Sequence, residues 1–235
     1  MAIPLFLAMM GAEFAAAGAL PKTAAWMACH FSSGDTGITN IPPSLPPGSL
    51  LILNDQIPLS GHNLGRVGEQ LQQAADALDS RGVLLDFQRP HVPESKELAA
   101  YLVSRLTCPV AVSDLYAKEL DCPVFLSPCP HHVPLSDYLL PWKGRRISLD
   151  LAVDAEVITL TRSGSQILPC PLGEMPEGSH ADKLLHCHYS IETSADSMQF
   201  TLWRSREDLQ NLAAEAEELG AEMLVGLYAE WKDRS

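Results

Sequence analysis

The sequence predicts an α/β fold: a (β/α)8 TIM barrel with shortened helices and an antiparallel β insertion between strands seven and eight. Three observations carry this expectation. Short apolar runs recur along the chain and several end abruptly in an acid or amide. Segments of helical period follow at least three of them. Beyond residue 153 the pattern changes to paired runs joined by polar turns. An open doubly wound sheet is the alternative, but no Gly-rich phosphate fingerprint follows the first run.

Length and charge narrow the function classes. At 235 residues, 46% hydrophobic, the chain suits one barrel domain over 1–235, with 153–204 as the insertion within it. A net charge of −13 with only 16 Lys and Arg leaves no basic stripe, so neither nucleic acid nor an anionic membrane is an expected partner. A small-molecule or oligosaccharide ligand is expected instead.

The N-terminal segment from Met1 to Leu20 invites a signal-peptide reading. Its first cation is Lys22 and Glu13 interrupts it, so a buried strand plus a short helix is the expectation. The six cysteines are even in number, but without a convincing signal they are expected to be reduced in a cytoplasmic protein, secretion being the alternative.

The elements follow in order. Ile3 to Met10 is candidate strand one and Thr23 to Phe31 strand two, closed by a turn at Ser32 to Gly37. The proline-rich stretch Ile41 to Gly48 reads as a loop, because its prolines cannot donate to a ladder. Ser49 to Asp55 is strand three. Gly61 to Leu78 is an amphipathic helix with Val67, Leu71, Ala74, Ala75 and Leu78 at helical spacing. Gly82 to Phe87 is strand four, and Glu94 to Leu106 its helix.

Cys108 to Asp114 and Cys122 to Pro128 echo one another at an offset of 14 residues and read as strands five and six. Their link, Leu115 to Asp121, holds little more than one helical turn. Arg146 to Leu151 is strand seven. Hairpins are expected at Val157 to Leu168 and between His186–Ile191 and Met198–Trp203. Arg206 to Leu219 is the last helix, stopped by Gly220, and Glu222 to Tyr228 is strand eight.

Sites of barrels lie at the carboxyl ends of the strands. There the sequence places Glu13, His30, Asp55, Asp86 with Gln88, Asp114, Ser127, Asp150 and Glu230, the composition of a carbohydrate or metal-assisted hydrolase site. Asp86, Asp55, Asp150 and Glu230 are the candidate catalytic carboxylates. Gln88, Glu13, His30, Asp114, Tyr228 and Trp231 are the candidate ligand contacts. Structural capping and core packing are the competing uses of such residues. Asp86 stands apart, since an acid that begins where an apolar run ends must meet a partner.

Other chemistries fare less well. His186 and His188 lie two apart, with His131, His132 and Cys129 as further donors, but the spacing matches no zinc signature, and no metal or cofactor is expected. Ser113 and Ser127 have neither an elbow motif nor an evident base.

Strand four, Gly82-Val83-Leu84-Leu85-Asp86-Phe87-Gln88-Arg89-Pro90, resembles the signature of glycoside hydrolase family 18, the chitinase-like barrels. In that signature Gly is followed by alternating apolar and acidic positions ending Asp, aromatic, Glu. The antiparallel insertion and an aromatic near the end of strand eight add to the resemblance. It implies that the final Glu protonates the glycosidic oxygen while the Asp two before it steadies the substrate's acetamido group as nucleophile. Carried over, Asp86 matches that Asp, Gln88 stands at the acid, and Arg81 and Leu84 replace the two earlier acids. An amide has no proton to give at neutral pH, so the usual route should lose about 10²–10⁴ in rate. The resemblance therefore implies a pseudoenzyme that binds a glycan or small polar ligand. An active glycoside hydrolase using Asp86 with another rim carboxylate is the second reading. The third is a scaffold whose insertion is the working surface, which predicts an exposed apolar patch on 153–204.

Overall fold

The computed structural model describes residues 3–33, 37–59, 63–170 and 178–231. The turn expected across residues 34–36 and the helix start expected at Gly61 lie outside the described residues.

Eight parallel strands form the barrel: β1 (Leu5–Met9), β2 (Ala24–Phe31), β4 (Leu50–Asn54), β5 (Gly82–Asp86), β6 (Val110–Ser113), β7 (Val124–Leu126), β8 (Ile147–Leu151) and β14 (Met223–Leu227). Pairing of β1 with both β2 and β14 closes the ring. A two-residue strand, β3 (Ile38–Thr39), pairs antiparallel with β2 and has no counterpart among the sequence expectations.

The strand sequences explain the burial. Leu50 to Leu53 are all buried, as a strand covered on both faces requires. Alternate positions fill the barrel, where Phe6, Ala8, Ala25, Leu50, Ile52, Leu84, Ala111, Phe125 and Val225 form one cluster of mixed large and small side chains. Gly82 opens β5 because a Cβ there would lie 2.7 Å from the carbonyl oxygen of Pro109, the residue before β6.

Helices cover the strands unevenly. The long ones are α2 (Leu64–Ala77), capped by the Asn63 side chain, and α3 (Pro93–Arg105), entered through proline. In α2 the expected Val67, Leu71, Ala74 and Ala75 are buried; in α3, where the spacing puts Leu98, Tyr101, Leu102 and Leu106 on one face, Leu98 and Leu102 are buried with Ala99, while Tyr101 and Leu106 are half-buried. Elsewhere single turns serve: α1 (Gly11–Ala16), α4 (Asp114–Ala117) and α7 (Tyr228–Trp231).

The chain divides into two compact units, one of residues 1–127, 144–150 and 221–235, the other of 128–143 and 151–220. The second is drawn from two stretches of the chain, one between β7 and β8 and a longer one between β8 and β14. It contains α5 (Leu135–Leu139), a 3-10 turn (Leu140–Trp142), α6 (Arg206–Glu218) and a five-stranded antiparallel sheet. The strands, in order across the sheet, are β10 (Gly164–Cys170), β9 (Ala155–Thr161), β13 (Ser197–Trp203), β12 (Cys187–Thr193) and β11 (His180–Asp182). Both expected hairpins are present, and α5 and β11 are additions. Arg204 is buried at the centre of this unit, its guanidinium donating to the carbonyls of Cys129, Pro130, Leu185 and His186.

Candidate functional site

Strand parity builds the site. Inward positions two residues beyond the barrel cluster fall on Asn54, Asp86, Ser113 and Ser127, and the pairing of Ser148 with Phe125 puts Asp150 on the inward side as well. The carboxyl end of the barrel is thus lined by short polar side chains. β5 is the fourth barrel strand, and Asp86 is its last residue, in register with Asn54 of β4.

Gln88 is exposed and its amide nitrogen donates to Oδ1 of the half-buried Asp86. The carboxyl of Asp86 is pushed above its ordinary range, chiefly by burial; the bond from Gln88 works against this and the nearby negative charge of Asp55 adds to it. Asp86 is therefore readier than an ordinary carboxyl to take a proton.

The turn that carries Gln88 is held on both sides. Asp55 is 4% exposed and spends both oxygens on the turn: Oδ1 accepts from the backbone N–H of Gln88 at 2.9 Å and Oδ2 from that of Arg89 at 3.1 Å. From β6, Ser113 donates its hydroxyl to the Phe87 carbonyl at 2.9 Å. Tyr116 of α4 donates to the Arg89 carbonyl and accepts from the Val92 N–H at 3.2 Å. Between these clamps the buried Phe87 ring packs on Phe31 and, edge to face, on Tyr116. The exposed Gln88 side chain thus projects from a tied-down turn beside the half-buried Asp86.

The remaining sequence candidates occupy varied places. Glu13 accepts the Met10 N–H at 2.8 Å and serves the start of α1. His30 points Nδ1 at the Ala28 carbonyl, 3.0 Å away, with the Asn40 amide at 3.5 Å. Asp114 accepts the N–H of its neighbour Leu115 at 3.0 Å, and burial raises its carboxyl. Tyr228 and Glu230 belong to α7 and are half-buried. Trp231 is 4% exposed and lines a cavity of about 520 Å³ with Leu5, Leu7, Leu20 and Pro21. Leu5 and Leu7 alternate with the inward Phe6 and Ala8, so this cavity lies on the outside of the barrel wall.

Sequence reasoning found Asp86 and Gln88 together because both sit on one short run. It missed the clamp. Tyr116 carries no signal in the sequence, and Ser113 reads there only as a nucleophile, whereas its hydroxyl holds the β5 turn.

The histidines considered as metal donors each face a carboxylate instead. His132 lies 2.6 Å from Glu156, His186 2.6 Å from Glu215 and His188 2.9 Å from Asp208, while His131 faces Asp154 at 3.2 Å. Among the described residues no group of three or more His, Cys, Asp or Glu side chains could hold a metal ion. All six cysteines are free thiols, and no described helix is long and apolar enough to cross a membrane.

No protein-family model matches the chain, and no curated protein matches its sequence. Solved structures do. The spore cortex-lytic enzyme SleL of Bacillus cereus superposes with a TM-score of 0.59 at 9% identity, covering 98% of this chain and 73% of that one. A family 18 glycoside hydrolase, a chitinase variant from Cycas revoluta in complex with (GlcNAc)4, gives 0.56 at 11% identity, covering 95% and 94%. The chitinase-like agglutinin of Robinia pseudoacacia gives 0.57 at 11%, covering 94% and 93%. At such identities the likeness establishes the fold, a barrel of the kind found both in chitinases and in chitinase-like proteins.

Proposed function

We propose that this barrel binds an N-acetylglucosamine-type oligosaccharide at its carboxyl-terminal mouth and does not cleave it by the acid route of family 18 hydrolases. The observation that carries this reading is the Gln88–Asp86 hydrogen bond at the end of the fourth barrel strand. Gln88 stands where the resemblance puts the proton donor, and its amide has no proton to transfer at neutral pH. Asp86 keeps an oxygen able to accept an acetamido N–H, and Gln88 keeps an amide oxygen for a sugar hydroxyl. The clamp on the β5 turn supports binding, since pre-ordered polar groups lose little freedom when a ligand arrives. The likeness to a barrel solved with (GlcNAc)4 supports the ligand class. Six free thiols are compatible with a reducing, cytoplasmic setting.

A second reading, an active hydrolase, is favoured by the raised carboxyl of Asp86, which suits a group that must hold and release a proton. In that reading the partner carboxylate is Asp150, which strand parity also turns inward at this end of the barrel.

Calorimetric titration with N-acetylglucosamine oligomers separates these readings. Saturable heat without slow turnover supports the binding barrel. Slow heat with release of reducing ends moves the assignment to the hydrolase, and no heat at all removes this sugar class.

A further inference from the structure

The amino-terminal end of the barrel, opposite the mouth, also holds a cavity. Its volume is about 190 Å³, and it lies wholly within the first compact unit, at the starts of β5, β6, β8 and β14. Small inward residues leave the room. Gly82 pairs with the inward Leu50 and so shares its side, and Ala111 and Ser148 are inward on strands further round the ring. Ser148 is 3% exposed and lines the cavity, and its hydroxyl has no hydrogen-bond partner among the described residues. A buried serine ordinarily returns its hydroxyl to a carbonyl, as Ser113 does to that of Phe87, so an unspent donor facing a cavity points to a ligand. Arg81 and Arg146 stand at the rim. The backbone N–H of Arg81 donates to the Ser49 carbonyl at 2.8 Å, and its guanidinium lies over the ring of the inward Phe6, 5.7 Å from the centroid. The side chain therefore reaches across the end of the barrel. Arg146 gives its carbonyl to the Val124 N–H at 2.8 Å and its Nε to Glu222 at 2.8 Å, which leaves its two Nη groups without a partner among the described residues.

We infer that this cavity is a second ligand site, one that takes a phosphate group, either as the free ion or on a small monoester. Charge selects an anion. Two guanidiniums and one carboxylate, Glu222, line the opening, and that carboxylate is already engaged by Arg146. The chain as a whole carries −13, so a local excess of positive charge stands out against it. The donors select phosphate. Arg81 before β5, Arg146 before β8 and the Ser148 hydroxyl approach from different strands, which suits a tetrahedral group with oxygens on every side; a planar carboxylate is satisfied by one guanidinium fork. Size agrees, because the cavity is smaller than a drug-sized pocket and admits a phosphate with a short carbon chain but no polymer. It is thus separate in place and in chemistry from the oligosaccharide site proposed for the mouth. A ligand held there joins β5 to β8 across the two strands between them and stabilises the closed barrel.

Calorimetric titration of the full chain at neutral pH and fixed ionic strength tests this, with inorganic phosphate and glycerol 3-phosphate as separate probes. The expected result is saturable binding of at least one probe with a dissociation constant of about 1 mM or below, and a thermal midpoint that rises with the same probe. Tighter binding of the monoester assigns the site to a phosphorylated metabolite; equal or tighter binding of the free ion assigns it to phosphate itself. Arg81→Gln and Arg146→Gln are each expected to weaken binding at least about tenfold, and Ser148→Ala about threefold or more, with unchanged circular dichroism spectra. Because Arg146→Gln also frees Glu222, Arg81→Gln carries the test if that variant folds poorly. Arg105→Gln, which removes an exposed cation of α3 outside the cavity, is expected to leave binding unchanged. Neither saturable heat nor a shifted midpoint with either probe up to about 20 mM overturns the inference. An equal loss in Arg105→Gln overturns it as unspecific attraction to positive charge, and acetate binding as tightly as phosphate overturns the choice of ligand.

Discussion

Gln88, on the turn that follows the fourth barrel strand, donates its side-chain amide to the carboxylate of Asp86, the last residue of that strand. The pair is fixed from behind by Asp55, which accepts the backbone N–H groups of Gln88 and Arg89 with its two oxygens. The chemistry of the mouth follows from which atom stands at position 88, and its precision from the clamp at position 55.

Gln88→Glu restores a group able to donate a proton beside Asp86. Under the proposed function the variant should hydrolyse N-acetylglucosamine oligomers about 10²–10⁴ faster than the parent chain. Reducing-end release measured against pH is the check. Binding without any gain in turnover would show that the rest of the mouth does not support the reaction.

Asp55→Ala leaves two backbone N–H groups of the β5 turn without their acceptor. A destabilisation of about 2–4 kcal/mol is expected, together with weaker oligosaccharide binding. Urea denaturation and calorimetry measure the two effects. An unchanged midpoint would remove Asp55 from the clamp.

Arg204→Met removes the donor shared by the carbonyls of Cys129, Pro130, Leu185 and His186. About 3–5 kcal/mol should be lost from the second unit, since buried acceptors are left unmet. Hydrogen exchange resolved along the chain should show lost protection in β12 and β13 and little change in β4 and β5.

The His131, His132 and Glu156 cluster sets a pH window for that same unit. Burial alone would raise the carboxyl of Glu156, but hydrogen bonds from His131 and His132 pull it down to about 2. Its contribution is present above the ordinary carboxylate range and is lost as pH falls toward about 2. For His131, burial opposes the charged form, as does Arg204, yet Asp154 and Glu156 outweigh both and raise it. Its contribution is complete below the ordinary histidine range and is lost as pH rises through the raised value. Thermal melts should therefore peak between about pH 5 and about 6.5. Glu156→Gln should flatten the acid side of that curve.

Much of the barrel was legible in the chain itself. A strand buried on both faces must be apolar throughout, so Leu50 to Leu53 and Val83 to Leu85 announce themselves. A helix that covers them must repeat at 3.6 residues, and α2 and α3 do. Those local periods, with the hairpin pattern after residue 153, determined the fold class and the place of the insertion. They also delivered Asp86 and Gln88 as neighbours, because both lie on one short run read as extended, although the strand itself ends at Asp86.

Tertiary structure alone decided which polar groups meet. Asp55 lies 33 residues from Gln88, and Ser113 lies 26 from Phe87, so no local period could join them. Trp231 likewise looked suited to a mouth when read beside Glu230, but the turn of α7 carries it to a cavity on the outer side of β1. The apolar rank of Ile167, Ile158, Phe200 and Ile191 across the antiparallel sheet emerges only once four strands are set in register. Periodicity is a property of one segment, whereas a clamp, a cavity or a rank belongs to segments brought together, and the register that joins them is set by the packing of the whole sheet.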